Sequence, residues 1–145
     1  DWAPGVSVTW TPAAPNPNYR IIVWARSAGS TVNSNAVSRV VVFPIDPPPP
    51  TVPSLTADRG APGIVNTPIT FTATLSGGVA PYETKWWLWD GTSNVVLRDW
   101  APGVSVTWTP AAPNPNYRII VWARSAGSTV NSNTVSRVVV FPVNP

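Results

Sequence analysis

The C-terminal third of the chain, residues 99–145, repeats residues 1–47 at a constant offset of 98 positions. A period of 98 residues is too long for a solenoid repeat and close to the length of one β-sandwich domain. Because residues 48–98 occur only once, we expect one complete repeat preceded by the second half of another. Three of the 47 aligned positions differ between the copies: Ala36 and Thr134, Ile45 and Val143, Asp46 and Asn144.

A proline-rich segment separates the predicted half-repeat from the predicted complete repeat. It contains four consecutive prolines at positions 47–50. Consecutive prolines favour polyproline II, which rises by about 3.1 Å per residue and makes a stiff spacer. The predicted boundaries are therefore residues 1–43 for the half-repeat, 44–53 for the linker and 54–145 for the complete repeat.

Residue types that the sequence lacks exclude several classes of chemistry. Without Cys and His, the chain cannot build a zinc site, an iron–sulfur cluster, a Ser-His-Asp triad or a cysteine nucleophile. No disulfide can form, so a hydrophobic core must hold the fold. With 43% hydrophobic residues and a formal net charge of +3, the composition is that of a folded chain rather than a disordered one. The sequence has no apolar run long enough to span a bilayer, so we expect no membrane insertion.

The acidic residues do not form a recognisable catalytic pair. A glycosidase needs two facing carboxylates, whereas Glu83 lies on an outward position and Asp90 lies in a turn. A calcium site at Asp90 would need further clustered Asp residues, and the outward Lys85 does not suit an isopeptide crosslink. We therefore expect no enzymatic activity, no cofactor and no metal, and interpret the carboxylates as solvated turn and edge charges: Asp1, Asp46, Asp58, Glu83, Asp90 and Asp99.

Alternation of apolar and polar residues predicts seven short strands, which we call A to G. Turn residues such as Gly77-Gly78 and Asp90-Gly91 separate them, and no segment has helical periodicity. We expect an all-β sandwich, although a small barrel would use the same strands. The predicted strands are A at 55–58, B at 69–75, C at 82–89, D at 95–100, E at 104–109, F at 117–124 and G at 135–141.

Three stretches of the complete repeat resemble bacterial immunoglobulin-like domains of the PKD and fibronectin type III kind: GGVAPYETKWWLWDG at 77–91, SVTWTP at 105–110 and YRIIVWARSAGS at 117–128. The resemblance implies an immunoglobulin-like β-sandwich in which Trp86 is the core tryptophan. It also implies that Tyr117 is a tyrosine-corner residue whose hydroxyl returns to the backbone. The usual cysteine pair is missing, with Ile119 where strand F would carry one. Such modules serve as spacers, stalks, adhesive surfaces or fibre subunits, and less often as glycan-binding accessories to enzymes.

Residue parity along the strands separates a core face from an outer face. Strand E is expected to turn Val104, Val106 and Trp108 inward, and strand C to turn Trp86 inward. The predicted core is built on Trp86, Trp108, Phe71, Leu88 and Tyr117. The predicted outer face carries Lys85, Trp87, Trp89, Arg118, Ile120, Trp122 and Arg124, with Arg20, Trp24 and Arg26 at the matching positions of the half-repeat.

Four uses of this outer face were weighed. Cross-strand Trp–Arg stacking would simply cover the sheet, with each pair worth on the order of 0.5–1 kcal/mol. A lateral contact with another copy of the same domain is the favoured use, since Trp and Arg are enriched at contact hot spots. A flat platform for sugar rings is the second functional candidate. Single-stranded nucleic acid is not expected, because three basic residues make a poor cationic groove.

The half-repeat, which is predicted to hold strands E, F and G but no A, B or C, poses a packing problem of its own. Half a sandwich leaves the apolar side of each strand without a cover. Two hypotheses follow: the chain is a window on a longer array, or the half-repeat packs on a neighbouring molecule through an edge such as residues 39–43. Domain swapping cannot solve the deficit, because it exchanges halves without creating new ones. The side chains that need a cover are Val6, Val8, Trp10, Tyr19, Ile21 and Val23.

Together these features predict a structural role. We expect a non-enzymatic, extracellular or cell-surface bacterial protein that forms a fibre, stalk or adhesin shaft. Its expected partners are copies of itself and a surface glycan, with no nucleic acid. A carbohydrate-binding accessory module using the same aromatic face is the alternative.

Overall fold

A computed structural model of the chain describes residues 4–31, 38–128 and 136–145. The regular elements of this described part are all β-strands, which confirms the all-β prediction. Accordingly, no helix in these ranges is long and apolar enough to cross a membrane. The chain divides into two compact units, residues 1–46 and residues 47–145. We call them the half-repeat and the complete repeat, and each is described by itself.

Antiparallel sheets make up most of the complete repeat. One has the strand order β10-β9-β6-β7, another β3-β5-β8, and a short parallel pair joins β11 to β4. Buried side chains of the two larger sheets form a single core cluster, an arrangement consistent with a β-sandwich. The strands are β3 Pro50–Ala57, β4 Gly63–Ile64, β5 Ile69–Gly77, β6 Tyr82–Trp89, β7 Asn94–Pro102, β8 Ser105–Trp108, β9 Arg118–Ser125, β10 Ser136–Val140 and β11 Val143–Asn144.

The core forms because alternate residues of the central strands point to the same side. Along β6 the buried residues are Thr84, Trp86 and Leu88, and β5 and β9 show the same alternation. Trp86 and Phe71 are fully enclosed, and each such side chain contributes roughly 1.5–3 kcal/mol by leaving water. The other buried apolar residues are Val52, Leu55, Ile69, Ala73, Leu88, Val106, Trp108, Ile119, Val121, Ala123, Phe141 and Val143.

Tyr117 packs on the edge of this core. Its ring meets the Trp108 ring edge-on, with the centroids 4.9 Å apart. The tyrosine hydroxyl that donates to a backbone carbonyl is that of Tyr82, which lies 2.6 Å from the Gly77 oxygen. The tyrosine-corner role of Tyr117 therefore stays a prediction.

Three strand predictions need correction. The first strand begins at Pro50, so residues 50–53, which we assigned to the linker, belong to β3. Pro50 and Val52 are buried there, so the proline-rich segment supplies apolar side chains to the core. Val104, expected to point inward, is exposed because β8 begins one residue later. The short pair β4–β11 was not predicted.

A buried hydroxyl ties the start of the complete repeat to its later strands. Ser125 Oγ donates to the Pro48 carbonyl at 2.8 Å and accepts from the Val79 amide at 2.9 Å. Gly78 makes this approach possible: its φ is +63°, and a Cβ there would lie 2.8 Å from both Pro50 N and Ser125 Oγ. The turn before β6 is thus fixed by a contact with the end of β9.

The half-repeat reproduces the C-terminal hairpin of the complete repeat. Its strands β1 (Arg20–Trp24) and β2 (Ser38–Val42) pair in the same register as β9 and β10. Trp10 and Tyr19 meet edge-on with centroids 4.8 Å apart, as Trp108 and Tyr117 do. The bridge between Asn16 and Ile45 also matches the one between Asn114 and Val143. Sequence identity therefore carries identical local geometry.

What the half-repeat lacks is the cover over that hairpin. The predicted strand E of this unit is wrong for the described residues, since residues 4–12 form no strand. Val8 is 81% exposed and Val23 is 57% exposed, whereas their counterparts Val106 and Val121 are 9% and 0% exposed. Residues 7–10 are not in a strand, whereas their counterparts at 105–108 form β8 by pairing with β5.

Candidate functional site: the outer face of the four-stranded sheet

The candidate surface is the side of the β10-β9-β6-β7 sheet that faces away from the core. On it β6 and β9 are direct neighbours, as the sequence predicts for strands C and F, with Lys85 opposite Trp122 and Trp87 opposite Ile120. Cross-strand partners share a face, so the register brings the predicted residues of both strands together. Of these, Arg118 is exposed, whereas the following are half-buried: Lys85, Trp87, Trp89, Ile120, Trp122 and Arg124.

One apolar row crosses all four strands. Val138 of β10 lies opposite Ile120 of β9, Ile120 lies opposite Trp87 of β6, and Trp87 lies opposite Val96 of β7. Val138 and Val96, at the two ends of the row, are both exposed. We call these four residues the apolar row. It extends the predicted aromatic patch to both edges of the sheet.

Two tryptophans border a small open cavity in the middle of this face. The rings of Trp87 and Trp122 have centroids 5.4 Å apart and planes inclined at 54°. Beside them lies a cavity of about 120 Å³, lined by Trp87, Asn94, Ile120 and Trp122. The Trp87 indole Nε1 is buried and has no hydrogen-bond acceptor among the described residues. A buried donor without an acceptor is costly, so this nitrogen lowers the stability of the face.

Lys85 is held by contacts within the sheet. Its ammonium lies 4.6 Å from the Trp87 ring centroid and 2.9 Å from Asp99 Oδ1. The hydrogen bond from Lys85, followed by one from the Trp100 amide, holds the pKa of the Asp99 carboxyl below its usual value. The Lys85 charge is therefore largely balanced on its own surface.

Arg124 is held in a similar way. Its Nε donates to Glu83 Oε2 at 2.7 Å, and its guanidinium lies 4.3 Å from the Trp100 ring centroid. Arg118, opposite Trp89, is exposed, whereas the other two predicted cations of this face, Lys85 and Arg124, are paired and stacked towards its opposite end. The apolar row, beyond that end, carries no charged residue.

Several members of this face were missed in the sequence. Glu83 and Asp99 were interpreted as solvated edge charges, and Trp100, Val96 and Val138 were given no place on the face. Irregular pairing between β6 and β7 shifts the register at Thr84 to Trp87. Simple alternation does not predict such a shift, although the apolar pair Val95-Val96 beside a tryptophan-rich strand is a signal.

The face is supported from beneath by a polar network. Thr84 Oγ1 donates to the Gly103 carbonyl at 2.8 Å and accepts from the Trp86 indole at 2.9 Å. Arg98 also donates to Thr84 Oγ1, and its other guanidinium nitrogen donates to the Ser105 carbonyl at 2.6 Å. Arg98 of β7 is thereby tied to the start of β8. Sequence reasoning gave this arginine no role.

The matching residues of the half-repeat lie on an incomplete sheet. Arg20, Trp24 and Arg26 are all exposed, and Trp24 is 50% exposed against the half-buried Trp122. Their two-stranded sheet has no counterpart of β6 to bring a second tryptophan alongside. The structure therefore assembles the candidate site in the complete repeat, without a second site of the same kind in residues 4–31 and 38–46.

Asp90 has a structural place in the turn after β6. Its carboxylate accepts from the Thr92 and Ser93 amides, each at 2.8 Å, and from both hydroxyls. These bonds, above all the one from the Ser93 amide, hold the pKa of the Asp90 carboxyl far below its usual value. Across the three described ranges, no group of three or more acidic residues forms a candidate metal site.

Comparison with models of protein families, with curated proteins and with solved structures finds no match to this chain.

Proposed function

We propose that this chain is a structural protein of tandem β-sandwich repeats that assembles through lateral contacts between outer sheet faces. The observation that carries the proposal is the apolar row, Val138–Ile120–Trp87–Val96, which crosses the sheet from edge to edge. The proposed setting is an extracellular or cell-surface fibre, stalk or adhesin shaft of a bacterium, and the proposed partner is another copy of the chain.

The strand order supports an immunoglobulin-like topology for the complete repeat. The sheet β3-β5-β8 corresponds to predicted strands A, B and E, and the sheet β10-β9-β6-β7 to predicted strands G, F, C and D. The parallel pairing of β4 with β11 couples the start of the domain to its end. Such a domain is a suitable building block, because its faces and its two ends are separate surfaces.

Physical chemistry favours a contact at the apolar row over simple coverage of the sheet. Arg124 stacks on Trp100 and Lys85 stacks on Trp87, and each cation is paired with a carboxylate of the same sheet. The apolar row is left with exposed valines at both sheet edges. A continuous apolar strip that ends on open edge strands is typical of an association surface. Trp87 and Trp122 at its centre are residues of the type found at hot spots.

A pair of lysine substitutions tests the lateral contact. The double variant Val96→Lys, Val138→Lys places two ammonium groups in the row, where burial without a partner is strongly unfavourable. We expect self-association of the full chain, measured by light scattering over a wide concentration range, to weaken at least about tenfold. The matched control is Ile64→Lys with Val79→Lys, because both residues are exposed but lie off the row. Equal association in the two double variants would contradict the lateral contact.

Binding of a glycan is the second candidate function, and the Trp87–Asn94 cavity favours it. A sugar ring could stack on the Trp87 and Trp122 rings that border the cavity, where the exposed Asn94 side chain offers a polar partner to its hydroxyls. Titration of the chain with polysaccharides while tryptophan emission is followed tests this candidate. A saturable shift that Asn94→Ala weakens would favour glycan binding, and no shift would exclude it for the polysaccharides used.

A further inference from the structure

We propose that the uncovered side of the half-repeat is a docking surface for one occupant, a further segment with the sequence of residues 47–98. We call this side the inner face; it comprises Val8, Trp10, Tyr19, Ile21 and Val23. The proposal rests on the repeat organisation and is independent of the lateral contact at the apolar row. The argument for the occupant comes from the complete repeat, where the same face is covered.

The complete repeat shows which strands cover the inner face. There β8 pairs with β5, which places Trp108 opposite Ile69 and Val106 opposite Phe71. On the other side β9 pairs with β6, which places Val121 opposite Trp86. These neighbouring strands, β5 and β6, lie within residues 47–98, and their Phe71 and Trp86 side chains belong to the core that encloses Val106 and Val121. Subtracting 98 from Val106, Trp108 and Val121 gives Val8, Trp10 and Val23 of the inner face. In the same way Ile21 corresponds to Ile119 of the core cluster, and Tyr19 corresponds to Tyr117, which packs against that cluster.

Backbone groups of the half-repeat match the same occupant. In the complete repeat the Val104 and Pro110 carbonyls accept from the Ala73 and Asn66 amides, each at 2.8 Å. Their counterparts in the half-repeat are the carbonyls of Val6 and Pro12. A purely apolar partner, such as a lipid surface, would leave these acceptors without donors.

Side-chain contacts add specificity for this segment. Arg98 donates to the Gly103 and Ser105 carbonyls, whose counterparts belong to Gly5 and Ser7. Asn114 Nδ2 donates to the Asp90 carbonyl at 2.6 Å. Asn16 is the counterpart of Asn114 and could donate in the same way to the Asp90 carbonyl of the docked segment. In each case one partner lies in residues 47–98 and the other has an identical residue 98 positions earlier.

The half-repeat is already arranged for such an occupant. Its hairpin has the register of β9–β10, and Asn18 N donates to Asn16 Oδ1 at 2.8 Å as Asn116 N does to Asn114 Oδ1. Preorganisation of this kind reduces the ordering that docking requires. Two of the three positions that differ between the copies lie in the described residues: Val143, the counterpart of Ile45, is in the core, and Asn144, the counterpart of Asp46, is exposed. The change in the core replaces one aliphatic side chain with another.

A second copy of this chain does not supply the missing cover. Each chain carries one segment 47–98 and two copies of the sequence of residues 1–47, so docking between copies exposes one such half for each half that it covers. The occupant must therefore come from a further segment of the 47–98 type.

Single cysteines test this proposal directly, because the chain has no Cys of its own. We would compare Val23→Cys with the matched Val121→Cys, in the full chain and in a chain extended by residues 47–98 ahead of residue 1. The reaction rate of each thiol with a maleimide is measured under native conditions at low concentration. In the full chain the thiol at position 23 is expected to react quickly and the thiol at position 121 slowly.

In the extended chain the thiol at position 23 is expected to react at least about 100-fold more slowly, since access then requires opening of a covered core. Ile22→Cys, on the opposite face of the same strand, is expected to lose much less reactivity. An extension that carries Phe71→Asp and Trp86→Asp in the added segment should give no protection. This control shows that core packing, rather than added length, is the cause.

Two results would overturn the proposal. One is an unchanged rate at position 23 in the extended chain, which would mean that the added segment does not cover the inner face. The other is protection in the unextended chain that rises with concentration, which would mean that another copy is the occupant. Neither result depends on the apolar row, so failure of the lateral contact leaves this test readable. Should Val121→Cys unfold the domain, the contrast between Val23→Cys and Ile22→Cys still decides it.

Discussion

The two copies of the repeated sequence have the same local structure and opposite environments. In both, a hairpin of identical register carries an edge-on tryptophan–tyrosine pair beside it. In the complete repeat one side of this hairpin is buried in the core, with Val121 fully buried, whereas its counterpart Val23 in the half-repeat is exposed. Residues 16–31 and 38–45 have the hairpin geometry of their counterparts without a comparable core, whereas burial of the counterparts involves strands within residues 47–98. Strand E also depends on residues 47–98, because β8 is paired with β5 in the complete repeat and the matching residues of the half-repeat form no strand.

The largest expected contrast in stability is between two equivalent phenylalanines, Phe141 of the complete repeat and Phe43 of the half-repeat. Phe141 is 2% exposed and meets Phe71 edge-on, whereas Phe43 is 50% exposed. We expect Phe141→Ala to lower the free energy of unfolding by about 3–5 kcal/mol, as removal of a buried ring does. Phe43→Ala is expected to change it by no more than about 0.5 kcal/mol, as exposed substitutions usually do. Urea unfolding monitored by tryptophan emission measures both, and equal losses would contradict the difference in burial.

A smaller contrast in stability is expected between two equivalent serines, Ser125 and Ser27. Ser125 is buried between the Pro48 carbonyl and the Val79 amide, whereas Ser27 is exposed. Ser125→Ala removes the acceptor of the part-buried Val79 amide and the donor to the Pro48 carbonyl, so we expect a loss of about 1–3 kcal/mol in the free energy of unfolding. The same change at Ser27 is expected to have no measurable effect. The comparison would be broken by a loss at Ser27 similar to that at Ser125.

The smallest expected effect is a pH dependence confined to the complete repeat. The pKa of the Asp90 carboxyl is lowered in the folded state, so its contribution to stability is present above the ordinary value and lost as pH falls through the folded value. We expect the Thr92 and Ser93 amide resonances to shift only in strong acid, well below the pH at which a free aspartate titrates. Asp90→Asn should abolish the shift. Titration of these amides at the ordinary pKa of an aspartate would contradict the hydrogen-bonded turn.

Much of the fold could be predicted from the sequence because the governing signals are local. Alternation along residues 69–75 and 82–89 predicts strands β5 and β6 with the observed inward side chains. The offset of 98 predicts the equivalence of the two hairpins. These features depend on nearest neighbours along the chain or on identity between copies.

The misses share a dependence on distant contacts. Pro50 and Val52 enter a strand because β5 lies beside them and the core accepts their side chains. The Arg124–Trp100 stack depends on strands β9 and β7, which lie on opposite sides of β6. The irregular β6–β7 register decides which residues of β7 reach the outer face. No pattern within a single strand contains that information.

Amide hydrogen exchange of the full chain, resolved by NMR at low protein concentration, tests the central claim most directly. The strands β1 and β9 have the same sequence, but β9 lies between two strands and β1 has one partner in the described residues. We predict that the β9 amides facing β6 exchange at least about 100-fold more slowly than their counterparts in β1. Equal protection of the two strands in the dilute chain would mean that the half-repeat is already covered, and would contradict the account.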